Sequence, residues 1–438
     1  MKKAWRTTAS LTMAATLLAS AVVYTAQAAD QEEQAAKGTP RLAGQYELKN
    51  PAELGNGISQ GGFSALIHLP NDPKNVFYTT TDRGPNGEIK VGDEKRRTFP
   101  LQNFTPSIYK ISVEKNEITI LETIPLSLPT GKDPITGTKL ISGVSNLEGE
   151  DEVPYDGEAK KKLAYDPYGL DVEGIAYNPK DDTFWLCDEY RPSLVQVKRD
   201  GTIIQRLIPR GEKEWFANAP LVPIKDVLPA IYSKRNQNRG FEGVSITPDG
   251  KWMFAAVQSP LANPDAKAAK ASRVLRIIKI DLKTGKPIAE FAYLTTDAAQ
   301  LKGVQQYDIV ISDLHAINEN TLLVDERDKN AGKDAQVKKL FTLNLKGATN
   351  VLGKYDEEVN GKTLEQMSES DLKQAKVKVP SKRQVLDLLE YDYPFEKVEG
   401  VTMVDSYTVA LVNDNDFDID NTGTTTQLWQ FRLPTKLK

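Results

Sequence analysis

Residues 171–191, DVEGIAYNPKDDTFWLCDEYR, decide the fold. An apolar strand opened by Glu173-Gly174 turns at Asn178-Pro179, returns as the alternating stretch Phe184-Trp185-Leu186-Cys187, and ends in acids beside Arg191. The plan recurs as GFSALIHLPNDPKNVFYTTTDR at 62–83, FEGVSITPDGKWMFAAVQ at 241–258, VISDLHAINENTLLVDER at 310–327 and VEGVTMVDSYTVALVNDN at 398–415. Each copy sets a Ser or Glu (Ser64, Glu173, Glu242, Ser312, Glu399) ahead of a polar cluster. The copies stand roughly 60–110 residues apart, the size of a four-stranded unit that needs neighbours to bury its faces. An all-β chain follows, a single β-propeller of five blades, or six if an insertion conceals one.

In such a ring the inner strand ends of all blades converge on one channel. The repeat therefore predicts that Glu173, Glu242 and Glu399 at the start of one strand meet Asp82, Asp188, Glu326 and Asp414 at the end of the next. Carboxylates so gathered repel one another unless cations, arginines or protons intervene. Hard oxygen donors in excess suit calcium, and only two histidines, His68 and His315, argue against a multi-histidine zinc or iron site. Glu173, Asp188, Glu189, Glu242, Glu399 and Asp414 are the candidate ligands; Asp82, Glu173, Asp188, Glu242, Glu326 and Asp414 are the candidate catalytic acids. The same residues could instead cap turns or pair with arginines. Arg83, Arg191, Arg239 and Arg327 either clamp an anionic substrate as bidentate donors or neutralise the acids beside them. Ser64 and Ser312 fill the glutamate slot of their repeats without a nucleophile elbow, so a serine triad is not expected.

The chain of 438 residues carries 39% hydrophobic and 26% charged residues and a net charge of −4. Without a basic cluster, nucleic acid is not an expected partner. Residues 1–28 read as a signal peptide: Lys2, Lys3 and Arg6 precede an apolar run that ends at Ala26-Gln27-Ala28. Residues 29–41 read as a disordered spacer, and 42–438 as the propeller domain. The mature protein is expected outside the cytoplasm, extracellular or periplasmic, with no stable membrane insertion after cleavage. The lone Cys187 forms no intramolecular disulfide and sits where a strand buries it. Gln45–Lys49 is placed to close the ring against the last strand, Thr426–Leu433. Residues 127–169 read as a long loop over one face, and residues 361–390 and Lys225–Tyr232 as helical decoration.

Taken in order, DRGPNG (82–87), YGLDVEGIAYNP (168–179), DEYRPSL (188–194), NRGFEGVSITPDGK (238–251), LVDERD (323–328), KVEGV (397–401) and VNDNDF (412–417) resemble the phytase-like family, described by the esterase-like activity of phytase. The resemblance spans about residues 45–433. It implies a secreted propeller that hydrolyses phosphoesters or other esters, with a small anionic substrate. Two other functions suit a carboxylate-ringed channel: a metal-dependent sugar lactonase, and a non-enzymatic envelope binding module or scaffold holding a structural ion.

Overall fold

The computed structural model describes residues 38–438. The predicted leader and residues 29–37 of the predicted spacer lie outside the described residues; the spacer's end is corrected, since Arg41 already belongs to the strand Arg41–Glu47. Five blades surround one axis. Blade 1 joins the segment 63–67, bridged at Phe63–Thr81 and Ile67–Tyr78, to Val76–Thr80, Ser107–Glu114 and Glu117–Pro125. Blade 2 is Val172–Asn178, Thr183–Asp188, Ser193–Lys198 and Ile203–Pro209, extended by a parallel strand at Ile224–Leu228. Blade 3 is Phe241–Ile246, Trp252–Val257, Val274–Asp281 and Lys286–Leu294. Blade 4 is Val310–Asn318, Thr321–Arg327, Lys338–Asn344 and Ser381–Asp387. Blade 5 is Gly400–Asp405, Thr408–Val412, Gln427–Arg432 and, from the other end of the chain, Arg41–Glu47. That last strand pairs antiparallel from Arg41 against Arg432 to Glu47 against Gln427, so the last blade is completed from the N-terminal side and no edge is left there.

The two successive sides of each blade bury apolar residues against the next blade. Tyr78 of blade 1 lies 5.4 Å from Phe184 of blade 2, ring to ring, in a cluster with Ile108, Ile175 and Val195. Blades 1 and 2 are therefore direct neighbours, and the 127–169 insertion conceals no blade. The insertion folds instead over the channel mouth, where Pro154–Asp156 completes a three-stranded sheet with Gly87–Val91 and Glu94–Phe99.

Two predicted helices are corrected. Residues 361–390 hold a 3-10 turn at Leu364–Gln366 and a short helix at Glu369–Gln374, after which Ser381–Asp387 is the outer strand of blade 4 and a second 3-10 turn follows at Leu388–Tyr391. Its alternating side chains pair with Lys338–Asn344, and pairing outweighs local helix preference. Lys225–Tyr232 is likewise mostly the strand Ile224–Leu228, followed by a 3-10 turn at Ala230–Lys234. Among the described residues no helix is long and apolar enough to cross a membrane.

Candidate functional site

The Glu-Gly dipeptide has a local reason. In blade 2, Val172 pairs with Asp188 and Gly174 with Cys187, leaving Glu173 as an extra, bulged residue. Blade 3 repeats this around Glu242 and blade 4 around Ser312. A bulge re-aims one side chain, and here that side chain is the acid. The following glycine lets the next inner strand approach. A Cβ on Gly174 would stand 2.9 Å from Val244 N, and one on Gly400 2.6 Å from Leu66 N. In blade 4 Asp313 takes the glycine's place and bridges the same gap, accepting from Val401 N at 2.8 Å.

The bulge also shifts the register of the second strand. Glu189, Gln258, Arg327 and Asp82 come to the channel, with Asp414 just behind its wall within 4.8 Å of Asp82 and Asp416, while Asp188 and Glu326, one residue earlier, fall on the opposite side of their strand. The structure corrects those two placements. Asp188 is buried within blade 2 and accepts from Tyr190 N, Arg191 N and the Arg206 guanidinium. Glu326 accepts from Tyr293 Oη at 2.7 Å and Lys382 Nζ at 2.6 Å, away from the channel. Arg191 is corrected as well: its guanidinium is spent on the carbonyls of Ser145, Pro167 and Asp166, pinning the insertion to blade 2. Ser312 Oγ accepts from Arg327 Nε at 2.7 Å, while His315 opens on the other end of the molecule, so no triad forms.

The channel mouth is a cavity of about 320 Å³. Asp82, Glu173, Glu189, Glu242 and Glu399 all line it, and with them come Asp171, Asp416 and Lys397, which the repeat did not point to. Asp82, Asp171 and Glu173 each offer an oxygen within 4.8 Å of the others, as do Asp82, Asp414 and Asp416. Burial, then Asp414 and Asp171, hold the Asp82 carboxyl well above the usual carboxylate range. Glu173 is raised by burial, then by Asp171, Glu242, Glu189 and Glu399; Glu189 is raised by burial, then by Glu242 and Asp171. Burial and Glu399 push Glu242 up to about 8. Its Oε1 accepts from Gln258 at 2.6 Å, while its Oε2 and Glu189 Oε1 are buried without a partner.

Cations are unevenly shared. Lys397 Nζ lies 2.8 Å from Asp414 and 2.6 Å from Asp416, and although burial opposes it, these two acids and Glu399 hold the ammonium well above its ordinary range. Arg327 is paired with Glu399. Arg83 donates its backbone N–H to Asp171 at 3.0 Å and lays its guanidinium on the Tyr190 ring, with Nη2 donating to Asn86 at 3.2 Å, Nε 3.7 Å from Asp171 and the buried Nη1 3.6 Å from Glu152. Arg239, half-buried, stacks on Tyr307 with 4.1 Å to the ring centroid and donates only to the Tyr307 carbonyl. In the group of Asp82, Asp171 and Glu173, Asp171 is paired with the Arg83 guanidinium at 3.7 Å, beyond hydrogen-bond distance, whereas Asp414 and Asp416 hold the Lys397 ammonium at 2.8 and 2.6 Å.

Fold and channel together define a five-bladed propeller with an acidic, oxygen-lined mouth rimmed by guanidinium groups. Residues 58–417 match the phytase-like family, described by the esterase-like activity of phytase, and the chain belongs to that family. A protein of Arthroderma benhamiae described as an uncharacterized secreted protein is 29% identical over 316 residues, 64% of this chain and 61% of its own length, so the chain spans about three-fifths of that relative. A luciferin-regenerating enzyme aligns over 85% of this chain and 92% of its own at 9% identity and a TM-score of 0.34. The hydrazine synthase of Kuenenia stuttgartiensis aligns over 85% and 83% at 8% identity and a TM-score of 0.31. Neither likeness carries an argument.

Proposed function

We propose that the protein is an exported hydrolase of phosphoesters that works at the acidic mouth with calcium held by Asp82, Asp171 and Glu173. The observation that supports this reading is the convergence of three oxygen donors within 4.8 Å, of which only Asp171 is paired with a cation, the Arg83 guanidinium at 3.7 Å, with Arg239 at the rim of the same cavity. Calcium accepts six to eight oxygens in flexible geometry, and an all-carboxylate set without histidine or thiolate suits it. Bound there, the ion would polarise a phosphoryl or acyl oxygen as a Lewis acid.

The chain's own residues supply the rest. Arg239 has guanidinium N–H groups not used on any carboxylate and faces the cavity, where it offers donors to phosphoryl oxygens. Glu242, whose carboxyl is pushed up to about 8, holds its proton at neutral pH on an oxygen with no other partner. That makes it the general acid for the departing alkoxide. Export follows from the leader-like N-terminus and agrees with the description of the Arthroderma relative as secreted.

The test is hydrolysis of an alkyl phosphomonoester, glycerol 2-phosphate, read as released phosphate, and of an alkyl carboxylester and a lactone by the mature protein, with calcium or chelator. Phosphomonoester turnover that requires calcium, is lost in Asp82→Asn and falls about 100-fold or more in kcat in Glu242→Gln is the expected result. Turnover of the lactone alone, or of nothing, would refute it.

A further inference from the structure

The propeller has a second mouth. On the face opposite the carboxylates the inner strands of all five blades enclose a cavity of about 500 Å³, which shares no lining residue with the acidic one. Between the two, the inner strands press together at Gly174 and Gly400, so the cavities are separate chambers. Its volume falls within the roughly 300–1,000 Å³ of small-molecule sites.

The wall is apolar: Ile67, Ala176, Ile246, Ala316, Ile317 and Met403 line it. Two imidazoles interrupt it. His68 Nδ1 lies 2.9 Å from the Val76 carbonyl, which can only accept, so Nδ1 carries a proton. His315 stands 3.5 Å from the Thr402 hydroxyl; burial, with His68 adding, pushes its pKa down to about 4, so it is neutral at physiological pH. Charge appears only at the rim. Lys436 and Lys438 are exposed on either side of Leu437, which is buried and donates its N–H to the Ser406 carbonyl at 2.9 Å. The one acidic side chain there, Asp405, is already paired with Lys74 at 2.7 Å. A cationic rim above an apolar floor complements a molecule with one greasy end and one negative end.

We infer that this chamber is a ligand site for a small anionic amphiphile, its aliphatic body against Ala176, Ile246 and Ala316 and its acidic head between Lys436 and Lys438. Calorimetric titration of the full mature chain with decanoate, below its aggregation concentration and in chelator, tests this. The expected result is one saturable site per chain, unchanged by Glu173→Gln in the acidic mouth. Met403→Trp and Asn318→Trp, two half-buried lining positions, fill the space and should each weaken binding at least tenfold at unchanged melting temperature. The double variant Lys436→Glu, Lys438→Glu should weaken decanoate more than decanol. Absence of saturable binding, or equal binding after either filling substitution, overturns the site; decanol binding as well as decanoate overturns the assigned head group.

Discussion

Glu242→Gln should stabilise the cation-free protein at alkaline pH and leave it nearly unchanged at pH 4.5. The Glu242 side chain is fully enclosed at the channel, and burial with Glu399 pushes its carboxyl to about 8 from an ordinary 4.5. The native state thus binds this proton more tightly than the unfolded chain does. Stability therefore falls as pH rises from about 4.5 to 8, and the loss is complete above the folded pKa. At about 1.4 kcal/mol per pH unit, the upper bound is about 5 kcal/mol. Glu173 and Glu189 each interact with Glu242, so the share seen on replacing one residue is smaller. Glutamine keeps an acceptor for Gln258 Nε2 and cannot ionise. Urea unfolding in chelator at pH 4.5 and pH 8.5 reads the effect as a shift of midpoint at constant slope. Coincident midpoints at pH 4.5 and a higher midpoint for the variant at pH 8.5 are expected. A shift equal at both pH values, or a less stable variant at pH 8.5, would refute the reasoning.

Lys397→Met removes the ammonium from between Asp414 and Asp416, which with Asp82 offer oxygens within 4.8 Å of one another. Calcium stoichiometry by calorimetry should rise from one to two per chain, and a value fixed at one would show that the lysine is not what keeps a second ion out. Arg276→Met should destabilise by about 3–5 kcal/mol in urea unfolding, because it strands buried carboxylates. The Arg276 guanidinium is wholly buried between Glu290 and Glu365, at 2.8 and 2.6 Å, and also reaches Asp356. A loss below about 1 kcal/mol would mean that those acids are neutral in the native state.

The ring and its closure were legible because both rest on strong, repeated signals. The Glu-Gly dipeptide marks a bulge followed by a close approach of strands, and Gln45–Lys49 overlaps the strand that does pair with the last blade. The second half of each repeat was read one residue out in blades 2 and 4. A bulged residue has no counterpart across the strand pair, so counting along the chain does not fix which of Asp188 or Glu189, and of Glu326 or Arg327, faces the axis. One residue of slip moves a side chain to the other face. Asp171 and Lys397 were missed for a related reason: they stand two residues before Glu173 and Glu399, just outside the strands that carry the period. Their only trace was the shared spacing of Asp171-Val-Glu173 and Lys397-Val-Glu399, in which acid and base exchange places. The insertion was legible as a long loop over one face, whereas which mouth it covers was not, since that depends on contacts such as Arg191 to the carbonyls of Ser145 and Asp166.

The most direct test of the account is a crystal structure of the protein soaked in calcium, read by anomalous difference density at the acidic mouth. The account predicts one ion among the oxygens of Asp82, Asp171 and Glu173, with Lys397 still seated between Asp414 and Asp416. An ion on any other set of residues, or a mouth in which these three carboxylates bind no calcium at saturating concentration, would contradict it.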